Sequence, residues 1–238
     1  MGDAKTAPHP GRTDTKPPTA SRDPVPAVVD WVLGAITAIV GFALTAVGAG
    51  MYTQVDRDVI AEFIAADSTE VNGLTPAEAV TAGVPFVDWF SVGVALTGLG
   101  LVAAAAVFVR ARRRTRRRVA GEGGTTATFW ASAVYGAAVT SLVSFVPGSG
   151  VVGGALAAYL HQDGSGLRVG ATTGLVGWAL TVPLLVFLSA ALLAGAGAID
   201  RLAGGVVLVA IVLVGELVAL ALNAGFGALG GYLADRFV

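Results

Sequence analysis

The chain contains no cysteine, which excludes disulfides, thiolate nucleophiles and cysteine-ligated metals. Charge is scarce as well. Asp, Glu, Lys and Arg make up 13% of the 238 residues, against about 25% in an ordinary soluble domain. Lysine is nearly missing, with only Lys5 and Lys16 beside a majority of arginines. The two histidines, His9 in a polar N-terminal stretch and His161 near a loop, have no partner at ligand spacing, and both read as solvated. No Ser/His/Asp set, HExxH or paired-acid motif is spelled, so the sequence points away from an enzyme and suggests no metal or cofactor.

What the chain has instead is apolar length. Hydrophobic residues make up 55% and the mean hydropathy is +0.75. Apolar stretches of 18 residues or more recur, and each reads as a membrane span. The expectation is an all-α integral membrane protein of the plasma membrane. It has five long apolar helices, a short Gly-rich segment after Pro147 (hence five or six spans) and a small helical extracytoplasmic cap.

Residues 1–25 are rich in Pro, Thr and Asp and cannot bury enough surface to offset their ordering entropy, so they read as a disordered cytoplasmic tail. No apolar h-region of a signal peptide follows the start. Residues 26–118 then form a transmembrane hairpin, with spans at about Val28–Gly50 and Trp89–Val109. Both open on the same dipeptide, Asp30-Trp31 and Asp88-Trp89. Asp caps helix starts and Trp prefers the headgroup level, so all four residues read as interface anchors. A pair of acidic functional groups is the weaker reading.

The outer segment, 54–86, carries six carboxylates and one arginine, Arg57. Val55, Val59, Ile60, Phe63 and Ile64 recur at helical spacing, and Thr75, Pro76 and Glu78 spell the capping box of a second short helix. The acids match no calcium loop, so a solvated face is expected rather than a metal site.

Seven arginines then crowd residues 110–118: Arg110, Arg112, Arg113, Arg114, Arg116, Arg117 and Arg118. Positive charge beside a span is held on the cytoplasmic side, which places residues 110–127 inside and 54–86 outside. The cluster's expected partners are the bilayer and its anionic lipid headgroups. Without interleaved aromatics it is not a nucleic-acid site. Residues 119–127 read as a linker.

The remainder, 128–238, is a glycine-rich membrane domain. Its first apolar region runs from Thr128 to His161 and is broken at Pro147-Gly148. Ser132, Gly136, Thr140 and Ser144, spaced by four, lie along one helix face suited to close packing. Gly150–His161 is too short to cross a core of about 30 Å, and spanning, re-entry and interfacial lodging all stay open. If it crosses, Arg168 and Arg236 lie inside and Arg201 outside. The next region, 167–194, puts Gly170, Gly174 and Gly177 on one face, with a kink expected at Pro183. The last runs from about Gly204 to Asp235.

Gly148-Ser149-Gly150-Val151-Val152-Gly153 spells G-x-G-x-x-G, with Asp163 fifteen residues after the first glycine. A dinucleotide site needs a β-α-β unit around that motif. The flanking runs have helical period and no other strand is available, so these glycines read as packing residues. The stretch G-A-L-A-A-Y-L at 154–160 returns as G-A-L-G-G-Y-L at 227–233, an offset of 73. Gly150, Gly153 and Gly154 in the first copy, and Gly227, Gly230 and Gly231 in the second, are the expected close contacts. Duplication and shared packing need both account for the echo.

"SFVPGSGVVGGALAAYL", "DGSGLRVGATTGLVG" and "GALGGYLA" together resemble a haloarchaeal multi-pass membrane-protein family of unknown function, over about 128–238. The resemblance implies a multi-pass fold without assigned activity, so it carries over no catalytic residues. The arginine-over-lysine bias and acidic exposed segments fit a halophilic source as well.

Glu216 is the one carboxylate deep inside an expected span, and Asn223 and Gly227 share its stripe if the helix is continuous. A carboxyl hydrogen-bonded between packed helices and a proton or cation pathway are both open. The expected function is accordingly a non-enzymatic structural or interaction protein with tightly packed helices, homo-oligomeric in one version. The alternative is a small-solute or ion (proton-coupled) transporter or channel using Glu216.

Overall fold

The computed structural model describes residues 25–66, 73–122, 126–144, 146, 148–161 and 165–237. Residues 1–24 of the expected tail (His9 included), Pro147, Asp163 and parts of the acidic segment and linker (67–72 and 123–125) lie outside that range. Among the described residues the regular structure is helical throughout: α1 Ala27–Gln54, α2 Arg57–Ala66, α3 Pro76–Glu122, α4 Phe129–Leu142, α5 Ser149–His161, α6 Gly166–Ala179, α7 Val182–Ala198 and α8 Leu202–Phe237. Four stretches are long and apolar enough to cross a membrane: α1, α3, α6 with α7, and α8. The remaining long region fell short of expectation. α4 covers about 21 Å at 1.5 Å per residue, less than a hydrocarbon core of about 30 Å.

α1 and α3 form an antiparallel pair along a seam of small residues. Gly34, Gly41 and Gly48 are buried in α1 at sevenfold spacing, and Ser91, Gly98 and Ala105 answer at the same spacing in α3. A Cβ on Gly41 would stand 2.6 Å from the Gly98 carbonyl oxygen, and one on Gly48 2.6 Å from that of Ser91. A seven-residue repeat holds such a contact line in register over several turns. This seam is absent from the sequence-based expectations.

α3 also corrects the second "DW" reading. The helix does not begin near Trp89. The Thr75–Glu78 capping box is present, with Glu78 Oε2 accepting from the Thr75 backbone N–H at 2.8 Å, but it opens a single 47-residue helix instead of a short one. Asp88 is an exposed residue inside that helix, and Trp89 leans on Phe187 of α7 at 6.3 Å. Packing carries the helix through Pro85: Gly83 touches Ile60 of α2, and Gly195 of α7 sits close enough that a Cβ would reach Ala82 O at 2.8 Å. Of the amphipathic set, only Ile60 is buried in α2, whereas Phe63 is exposed.

α4 and α5 form an antiparallel hairpin. Gly136 and Gly153 meet at its middle, and Leu160 near the end of α5 packs with Ala131 and Tyr135 of α4 and with Val25. α5 therefore returns to the end where α4 began. α6 starts at that same end, its Gly166 N–H donated to Asp235 Oδ2 of α8 at 2.8 Å. Arg201, between α7 and α8, lies at the opposite end and bonds Glu78 at 2.8 Å. Arg168 and Arg236 thus share the arginine end and Arg201 the acidic end. That distribution of the three arginines follows from the α4/α5 hairpin.

The kink expected at Pro183 is present. Proline lacks the N–H that would reach the carbonyl four residues back, at Ala179. α6 ends at Ala179, while Leu180 and Thr181 keep right-handed angles, so the chain bends without reversing.

Candidate functional site

The α1/α3 seam ends in charge. Asp30 lies one turn before Gly34, and Arg112 lies one heptad after Ala105, so the spacing that aligns the glycines also brings these two together. Asp30 is 4% exposed and Arg112 5%. Asp30 Oδ1 accepts from Arg112 Nε at 3.1 Å and from the Tyr135 hydroxyl of α4, and Oδ2 accepts from Arg116 Nε at 2.8 Å. Arg112 Nη1 donates to Thr126 O at 2.6 Å, and Arg116 Nη2 to Val25 O at 2.8 Å.

Thr128 holds α4 in position as its N-cap, its side chain accepting from the Ala131 N–H. Phe108 meets the Tyr135 ring edge-on at 5.9 Å. The cluster binds α1, α3, α4 and the chain between α3 and α4 through charge-assisted bonds. With both carboxylate oxygens engaged, it is built to hold elements together rather than to move a proton.

Asp30 is therefore no helix cap. Pro26 takes that place and no side chain bonds the first N–H groups, because the Asp30 carboxylate is drawn sideways to two guanidiniums. Arg112 and Arg116 depart from the lipid-facing role expected of all seven arginines for the same reason. Trp31 keeps an anchor's exposure, with Arg113 stacked 4.1 Å over its ring.

The second cluster surrounds α8. α6 packs along it in antiparallel register, Gly166 against Gly231, Gly170 against Gly227 and Gly174 against Asn223, backbone to backbone. On the other side α5 runs parallel to it. Gly154 meets the Gly227 carbonyl, Gly230 meets the Val151 carbonyl, and Gly150 approaches Phe226, where a Cβ would stand 3.1 Å from the Phe226 Cβ. The two halves of the echo are thus neighbours, and Gly154 faces its own counterpart, Gly227. Each glycine of the G-x-G-x-x-G that lies in α5 is committed to a helix contact, Gly150 to α8 and Gly153 to Thr140 and Gly136 of α4, which leaves no phosphate cradle. Ser132 is buried in α4. Gly177 meets nothing within 4 Å, so its packing role is withdrawn: α6 and α8 diverge beyond Gly174.

Across that divergence a single long side chain reaches. Trp178 Nε1 donates to Glu216 Oε2 at 3.1 Å, both residues half-buried. Asn223, on the Glu216 stripe, turns its amide to Ala219 O of its own helix at 2.8 Å. His161 corrects a further expectation. Its ring rests edge-on against Phe129 at 5.5 Å, and its Nδ1 is buried without a hydrogen bond. Among the described residues, no three His, Asp or Glu side chains converge.

Residues 130–237 match DUF5518, a family of unknown function. The DUF5518 region covers α5 to α8 entire and all of α4 but its first residue. The α1/α3 hairpin and α2 precede it. No curated protein and no solved structure matches the chain. The site residues that sequence reasoning missed are Tyr135 and the inward pair Arg112 and Arg116. The visible signal was the shared sevenfold spacing of Gly34, Gly41, Gly48 and of Ser91, Gly98, Ala105, Arg112.

Proposed function

We propose that this chain is a non-enzymatic multi-pass protein of the plasma membrane, from a halophilic archaeon. Its glycine-rich helices form a tightly packed scaffold that associates with other membrane chains, a second copy of itself included. The arginine end is cytoplasmic and the acidic end, 54–86, extracellular, as positive charge beside spans requires. The observation that carries the reading is Gly227, whose backbone is in contact with Gly154 of α5 and Gly170 of α6 at once. Lipid tails are as apolar as leucine, so helix association in a bilayer relies on this kind of close backbone approach. The test is assembly in native membranes by chemical crosslinking and blue-native electrophoresis. Gly227→Leu is expected to abolish the assembled species, and unchanged assembly would sink the scaffold reading.

One observation favours a second reading. The Glu216–Trp178 bond sits beside the α6/α7 break and the widening of α6 from α8, where a proton or cation would meet an intramembrane carboxyl. In proteoliposomes under a pH gradient, a transporter would show proton flux that Glu216→Gln removes. The scaffold reading expects equal, background flux from both proteins.

A further inference from the structure

The arginine cluster is split by a single carboxylate. Asp30 takes Arg112 and Arg116, and its two oxygens are then fully occupied by these and Tyr135. Among the described residues no acid pairs with Arg110, Arg113, Arg114, Arg117 or Arg118, all of them exposed. At 100° per residue, those five fall within an arc of about 140° on α3, and Arg112 and Arg116 lie about 40° apart on the far side. Five cationic donors therefore share one face with no counter-charge from the described residues.

Where this face begins identifies what meets it. The Arg113 guanidinium sits 4.1 Å over the ring of Trp31, which is 51% exposed. Val28 and Val32, flanking Trp31 on α1, are 68% and 52% exposed and continue the apolar outer surface of that helix. A ligand seated here touches guanidinium above and indole and valine below. It must be amphiphilic, with an anionic head and an aliphatic tail. Nucleic acid satisfies only the upper half.

We infer that Trp31 and Arg113, with Arg110 and Arg117, form a binding site for an anionic phospholipid. The phosphate is held by the guanidiniums and an aliphatic lipid chain lies against Val28, Trp31 and Val32. Arginine suits the phosphate because its planar fork donates two parallel bonds, and stacking on Trp31 fixes the plane of the fork in advance. The inference rests on the membrane reading of the chain and is independent of whether the bundle acts as scaffold or transporter.

The full chain is reconstituted into nanodiscs holding equal amounts of phosphatidylcholine and phosphatidylglycerol, and the lipids retained after extraction are counted by native mass spectrometry. Preferential retention of phosphatidylglycerol is expected. It should fall about fivefold for each arginine removed in Arg110→Gln, Arg113→Gln and Arg117→Gln, in line with about 1 kcal/mol per basic residue at an anionic surface. In a Trp89→Phe, Trp130→Phe, Trp178→Phe background, Trp31 emission reports the site directly. Acyl-brominated phosphatidylglycerol should quench it more than the brominated choline lipid, and Arg113→Gln alone should erase the difference. That measurement stands if the triple glutamine variant fails to fold. Equal retention and equal quenching by the two lipids would overturn the site while leaving the membrane reading intact, whereas failure to insert into either lipid would overturn both. Binding of a labelled RNA oligonucleotide that needs these arginines, with no lipid preference, would also overturn it.

Discussion

The α1/α3 hairpin and the DUF5518 region are both zipped by glycine, yet they distribute their contacts differently. In the hairpin, small residues meet in pairs at sevenfold intervals, two helices at a time, and the line ends in the Asp30 ion cluster. In the DUF5518 region two helices, α5 and α6, converge on one short stretch of α8, and Gly227 serves both. A paired seam spreads its dependence over several rungs, whereas a three-helix junction concentrates it. Burial differs as well. The hairpin closes with a desolvated carboxylate that cannot lose its partners cheaply, whereas the polar groups of α8 are held singly, Glu216 by Trp178 and Asn223 by its own backbone.

Substitutions can break this contrast. The largest loss is expected at Asp30→Ala, which leaves Arg112 buried without its carboxylate and frees the Tyr135 hydroxyl. Removing one partner of a buried pair costs about 3–5 kcal/mol. In thermal unfolding of the nanodisc-embedded protein this should be the lowest midpoint of the series. A variant as stable as the parent would show that the cluster holds nothing together.

Gly227→Leu should follow. Its new side chain meets the Gly170 carbonyl of α6, and overpacking of this kind costs about 1–3 kcal/mol, here toward the upper end. Gly177→Leu, on a glycine with open space, is the matched control and should leave the midpoint where it was. Gly41→Ala tests the paired seam at a single rung, where α1 and α3 need only separate slightly, and about 1 kcal/mol is expected. Should Gly41→Ala cost as much as Gly227→Leu, the distinction between spread and concentrated packing would fall.

Much of this architecture was legible in the chain. The helices, the Pro183 bend, the Thr75 capping box and the packing role of the echoed glycines all follow from local composition and spacing. What escaped depended on partners distant in sequence. Asp30 reads as a cap because an acid at a helix start usually is one, and only the arrival of Arg112, Arg116 and Tyr135 from two other helices makes it an ion-pair centre. Gly177 has the same local credentials as Gly174, but α8 has already moved away from α6 there. The length of α3 was misjudged for the same reason, since contacts with α2 and α7 carry it past Pro85.

By itself the sequence determined the class, all-helical with apolar stretches long enough to cross a membrane, because runs of this length and helical period with so little charge form long apolar helices. It also determined which glycines could admit a neighbour, since a missing Cβ is a local property. Tertiary structure alone decided which neighbour each one admits. It turned the stretch after Pro147 into the returning arm of a hairpin, laid it beside its own echo at Gly227, and divided seven adjacent arginines into two that face Asp30 and five that do not. Direction and partnership come from packing between helices far apart in the chain, which no local spacing encodes.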